Sequence, residues 1–248
     1  MEIPGNFGIC RGRVGRMKIS IVVANHGRDL SALKDSIDKS THKDVEFIEI
    51  NRGFERSKQR NMGIQESTGD AILWLDSDQT ISLDLLKEIN WLLKIGYSSI
   101  YIPEIIVGTS FFARIRAFER SFLTGTAVDV PRAILKRCMP LFDESLVGPE
   151  DADLGQRIKG LRTTTDSVLY HHDDVSFLEY CRKKAYYTKS MRAYAAKWPK
   201  DKCLDLKYRC FTVFVENRKW QKLVRHPILS IGIAFVIIVR GIIYYANR

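Results

Sequence analysis

The sequence predicts an α/β protein, with a mostly parallel sheet flanked by helices and a C-terminal transmembrane helix. Three observations predict it. Short apolar runs alternate with amphipathic stretches between residues 17 and 200, as in sheets whose strands are joined by crossover helices. One run, Ala71-Ile72-Leu73-Trp74-Leu75, is apolar at every position, as suits a strand covered on both faces. Residues 226–246 are almost wholly apolar, and about 20 such residues can cross a hydrocarbon core as a helix.

The elements follow in order. Residues 1–16 are rich in Gly and Arg and lack the apolar core of a signal peptide, so they read as a basic flexible leader. Met17 is an alternative start. Residues 17–25 form the first strand, 29–39 a helix, and 45–50 the second strand. A helix over 57–67 precedes the strand at 71–75, and a third helix over 83–95 ends at Gly96. Residues 98–102 are a strand halted by Pro103. Residues 111–122 read as an amphipathic helix bearing Arg114, Arg116 and Arg120. A short strand over 167–170 leads into His171-His172-Asp173-Asp174. The catalytic domain is expected at 17–200, a basic amphipathic interfacial segment at 201–225, and the membrane helix at 226–246. In that helix Arg240 lies near the far end and can snorkel, while Tyr244 and Tyr245 suit an interface.

Composition narrows the partners. The 248-residue chain has a net charge of +10 and a pI of about 9.4. Such chains meet nucleic acid, anionic lipid or phosphorylated substrates. No zinc-finger spacing or RNP-like string occurs, so a membrane is expected and nucleic acid is not. The basic run at 218–225 places the catalytic domain on the cytoplasmic side, with a single-pass or tail anchor. Five scattered cysteines form no C-x-x-C pair, which favours a reducing compartment.

Two acidic clusters carry the chemistry. Asp76-Ser77-Asp78 follows the all-apolar strand, and ligands of open α/β sheets bind beyond the carboxyl ends of strands. Carboxylates there suit Mn²⁺ or Mg²⁺ held against a diphosphate. The plainer alternative is a turn with a helix cap. The second cluster, Glu150-Asp151-Ala152-Asp153 with Arg157, opens a helix after Pro149. Acids in a first turn complement the helix dipole. Crowded carboxylates also raise one another's pKa, which can poise a general base. Together the clusters describe a site that moves a group off a nucleotide diphosphate.

Several ordered motifs resemble the family 2 glycosyltransferases of the GT-A fold. They are the first strand with Ala24-Asn25, then Arg60-Asn61-Met62-Gly63-Ile64, Gly69-Asp70 and Leu75-Asp76-Ser77-Asp78. Phe142-Asp143-Glu144, the run from Glu150 to Leu154 with Arg157, and Val168-Leu169-Tyr170-His171 complete the set. The resemblance covers roughly residues 17–195. It implies an inverting, metal-dependent transfer of a sugar from a nucleotide-diphosphate sugar. The membrane segment suggests a polyprenyl-phosphate or lipid-linked acceptor. It further implies Asp151 as base, supported by Glu150. It implies donor contacts from Ala24, Asn25, Asn51, Arg60, Asp76 and Asp78, and a metal on Asp78 and Asp76 completed by His172. Asp153, Arg157, Arg114 and Arg116 fall on the acceptor side, and Thr124 to Ala127 form a small-residue strand beside the sugar. Two departures stand out. Asn51-Arg52-Gly53 replaces the family's Asp-Asp-Gly turn, and the Gln-x-x-Arg-Trp signature of processive synthases is absent. Alternatives are a nucleotidyltransferase, which also uses paired aspartates, and a catalytically idle membrane-anchored nucleotide-sugar-binding protein.

Overall fold

A computed structural model describes residues 17–247; the leader expected at 1–16 lies outside them. The chain begins with β1 (Ile19–Ala24), α1 (Ser31–Lys39), β2 (Val45–Ile50), α2 (Arg56–Glu66) and β3 (Ala71–Asp76). Next come β4 (Gln79–Ile81), α3 (Leu85–Lys94), β5 (Ser99–Tyr101), β6 (Glu104–Val107) and α4 (Phe111–Arg120). β7 (Ala133–Leu135), α5 (Glu150–Arg157), β8 (Arg162–Thr164), β9 (Leu169–His172), α6 (Phe177–Tyr187) and α7 (Met191–Lys197) follow. The chain then runs through α8 (Val213–Val215) and α9 (Trp220–Arg225) to α10 (Pro227–Ala246).

Six strands form the main sheet in the order β2-β1-β3-β7-β5-β8. Only β7 runs against its neighbours, so the expected mostly parallel sheet is present. The alternation of β1 explains its layers. Ile19, Ile21 and Val23 enter one core with α1 and α3. Val22 points to the other face, with Ile64, Trp74, Phe142 and Leu154 under α2 and α5. Gly63 lets α2 lie close to β1, because a Cβ there would come within 2.4 Å of a Val22 methyl.

A second sheet, β4-β9-β6, was legible in the sequence only as the strand of β9. It forms because the chain resumes β structure at Glu104, just after Pro103, in a different sheet. The expected small strand at residues 124–127 is instead a turn following α4. There, Gly125 N–H and Arg120 both donate to Asp129, at 2.9 Å each.

The C-terminal third departs most from expectation. Tyr208, Val213 and Phe214 were expected along a membrane surface, but they are buried in a third core with Ile115, Phe122 and Tyr180. Helix α10 packs on that core through Ile233 and Val236.

Candidate functional site

The site forms where β1 and β3 end side by side, with Ala24 opposite Asp76. Arg60 reaches up from α2 with no exposed side-chain surface. Its guanidinium lies 4.4 Å from the Trp74 ring centroid and 5.1 Å from that of Phe142. It donates to Asp76 Oδ1 at 2.7 Å and to Asp151 Oδ1 at 2.8 Å. One buried cation therefore ties the two acidic clusters together. Asn61, one residue on, bonds the Phe142 backbone and Glu144, fixing the loop that leads to α5.

Asp76 and Asp78 have different surroundings. Burial favours the neutral form of Asp76, but Arg60, Arg132 and Arg56 outweigh it and hold the carboxyl well below the usual range. Asp76 is thus largely neutralised by protein cations. Asp78 sits in the turn to β4. Burial opposes its ionisation too, yet the His171 hydrogen bond and charge keep its pKa low. Its carboxylate lies 3.2 Å from His171 Nε2 and 2.5 Å from Arg28, a side chain 60% exposed.

The histidine expected to complete a metal set was His172; the structure puts His171 there instead. The pairing of β4 with β9 sets Gln79 opposite His171, and alternation turns the next side chain to the opposite face. His172 is exposed and lies 3.0 Å from Thr80 Oγ1, while its backbone N–H bonds Asp78 O at 2.8 Å. His171 Nδ1 contacts Glu104, and its Nε2 is 3.9 Å from Asp173. Burial lowers the His171 pKa, but Asp78 and Glu104 more than reverse this and raise it to about 9. Among the described residues no three or more His, Cys, Asp or Glu stand as a ready metal cluster. The fit to a cation rests on the Asp78 carboxylate and on the His171 imidazole beside it, which would have to give up the proton held by Asp78 and Glu104 to ligate; neutral imidazole and carboxylate both suit Mn²⁺.

The second cluster divides as well. Glu150 is buried and accepts from Gly148 N–H, with Arg56 3.6 Å away. Burial, then the nearby Asp151, raise its pKa. Asp151 keeps 32% of its side-chain surface. Both line a cavity of about 170 Å³ with Arg56, Arg116, Tyr180 and Lys184. Gly148 permits this packing. Its φ is +103°, and a Cβ there would fall 2.6 Å from the Tyr187 Cβ. Burial and the neighbouring Arg240 and Arg116, against a weaker pull from Glu119, lower the Lys184 pKa to about 7.

The other expected site residues divide. Asp153 has no exposed surface; it accepts from Trp198 at 2.8 Å and pairs with Lys197 and Arg157 at 2.7 Å each. It and Arg157 thus fasten α5 to the end of α7 rather than facing an acceptor. Arg114 is exposed, whereas Arg116 enters the cavity and pairs with Asp173 at 2.6 Å. Asn51 is exposed at the end of β2. Asn25 is buried, donating to Arg28 O and Glu49, each at 2.9 Å. Glu104, Arg132, Arg28 and Arg56 were missed. Arg132 spans Asp76 and Glu104 at 3.4 Å to each. No local pattern marks these positions, because only the folded sheet brings them together.

The model of glycosyl transferase family 2 matches residues 16–127. That model, of family 2 glycosyltransferases, covers just under half of the chain. The chain's fold resembles that of the mannosyltransferase PcManGT from Pyrobaculum calidifontis, solved in complex with GDP-Man and Mn²⁺. The TM-score is 0.60 at 11% identity, over 98% of this chain and 91% of that one. S. aureus TarS 1–349 gives 0.50 at 13% identity, over 94% and 91%. The chain spans about half, 55%, of another S. aureus TarS chain at 13% identity, with 94% of this chain covered and a TM-score of 0.48. No curated protein matches the chain. The mostly parallel sheet flanked by helices agrees with the GT-A fold.

Proposed function

We propose that this glycosyltransferase moves a sugar from a nucleotide-diphosphate sugar to a membrane-associated, phosphate-bearing acceptor in one inverting displacement. The observation that carries the reading is the single buried Arg60, which joins the turn of Asp76 and Asp78 to Asp151 at one cleft. Asp78 and His171 would hold Mn²⁺ or Mg²⁺, with Asp76 behind them as an electrostatic neighbour. Such an ion, when bound, neutralises the diphosphate as it leaves. Asp151 takes the acceptor's proton as the acceptor oxygen bonds the anomeric carbon and the carbon–diphosphate bond breaks. Arg60 keeps that carboxylate in place. Arg56, Arg116 and Lys184 favour a phosphate on the acceptor, because they converge on the cavity beside Asp151.

The apolar α10 supports a membrane-associated acceptor. The exposed cations Lys222 and Arg225 just before it favour the anionic cytoplasmic leaflet. The test is a screen of UDP- and GDP-sugars with Mn²⁺, reading nucleoside diphosphate release with and without polyprenyl phosphate. Release abolished in Asp78→Asn and Asp151→Asn supports the reading. Donor binding without nucleoside diphosphate release, whatever acceptor is added, favours an idle binding protein.

A further inference from the structure

We propose that α10 lies flat in one leaflet of an anionic membrane, docked on the catalytic domain, rather than crossing the bilayer. This stands apart from the transferase reading. The helix is long and apolar enough to span. At 1.5 Å per residue its 20 residues reach about 30 Å, yet both its ends touch the same domain. Near its start, Gly232 packs on Ile115 of α4, and Phe235 stacks on Phe177 of α6 at 5.7 Å. Further on, Arg240 pairs with Glu119 of α4. At its end, Tyr244 and Asn247 share a small cavity with Lys189 and Arg192, beyond α6. The axis therefore runs along the domain surface, not away from it. If this unit crossed a bilayer, α6 would carry the exposed Arg182 and Lys183 into hydrocarbon beside α10.

The outward face of α10 is a continuous stripe. Ile228, Ile231, Phe235, Ile238, Ile242 and Tyr245 are each more than half exposed, at alternating steps of three and four residues. The inward face holds the buried Ile233 and Val236 and the paired Arg240. Exposed cations flank the stripe at both ends: Lys222 and Arg225 before it, Lys189 and Arg192 beside its end. An apolar face rimmed by Lys and Arg is the signature of an interfacial helix on anionic lipid. The same spacing could pair two copies as a coiled coil, but those cations and a net charge of +10 favour an anionic surface over a second basic chain.

The experiment uses the full chain with phosphatidylcholine vesicles, with and without phosphatidylglycerol, read by flotation. Binding is expected to be at least about tenfold stronger with phosphatidylglycerol. It should be lost in an Ile231→Glu, Ile238→Glu double variant, whose outward substitutions leave the circular dichroism unchanged. Alkaline carbonate should release the native chain from membranes of the cells that make it. Resistance to carbonate would show a spanning helix and overturn the proposal. So would indifference to phosphatidylglycerol, or a double variant that changes only the oligomeric state.

Discussion

At Arg60, a guanidinium with no exposed surface lies between two aromatic rings and two carboxylates. Breaking a buried pair leaves an uncompensated charge. Arg60→Met should therefore cost about 3–5 kcal/mol in urea denaturation, more than Asp151→Asn, whose side chain is partly solvated. The two histidines separate sharply. His171→Ala should raise the Mn²⁺ concentration needed for activity, while His172→Ala should leave it near native, read as Mn²⁺-dependent nucleoside diphosphate release. The sequence placed the acids correctly at the strand end and helix start, because those signals are local. It pointed to His172 where the structure sets His171 beside Asp78, since that choice depends on the register of β9 against β4. It could not find Glu104 or Arg132 either, because their role arises from strands far apart in the chain.

Among the elements, β1, β2 and the turn before β3 share a polar joint. Glu46 accepts from the Ser20 hydroxyl at 2.5 Å and from Thr68 N–H at 2.8 Å. Burial opposes ionisation, but these bonds together prevail and lower the Glu46 pKa from 4.5 to about 2. A depressed carboxyl stabilises the fold above its ordinary pKa and loses that contribution as pH falls toward its folded value. The chain should lose stability between pH 4.5 and about 2, and Glu46→Gln should flatten that part of the curve in denaturant titrations at several pH values. The close α2–β1 contact gives a second test. Gly63→Ala must push the helix off Val22, costing about 1–3 kcal/mol. β1, β2, β3, β5 and α1 to α3 were legible, but β7 and β8 of the main sheet, three residues each, were not. Of the second sheet only β9 was read, as the strand at 167–170; β4 and β6 were not, being only three and four residues long. The helical content of 208–215 was hidden too, since its apolar residues serve a core supplied by distant elements.

For the whole molecule, α10 is part of the third core rather than a detachable tail. Removing an ordinary anchor leaves a soluble domain; removing residues 227–248 here uncovers Ile115, Phe177 and Tyr180. The truncated chain should melt lower and aggregate, as followed by thermal unfolding with light scattering. If α10 lies in a leaflet as proposed, the docked geometry also sets where the proposed transfer would happen. Tyr180 and Lys184 line the cavity beside Asp151, and they belong to α6, the helix on which α10 rests. With α10 lying in the leaflet, the cavity stays about one helix diameter, roughly 10 Å, from the lipid. The proposed lipid acceptor would then reach it by lateral diffusion, without leaving the bilayer. Turnover should follow the surface mole fraction of acceptor rather than its bulk concentration. Adding inert lipid at constant total acceptor should slow the enzyme, as any search confined to two dimensions must.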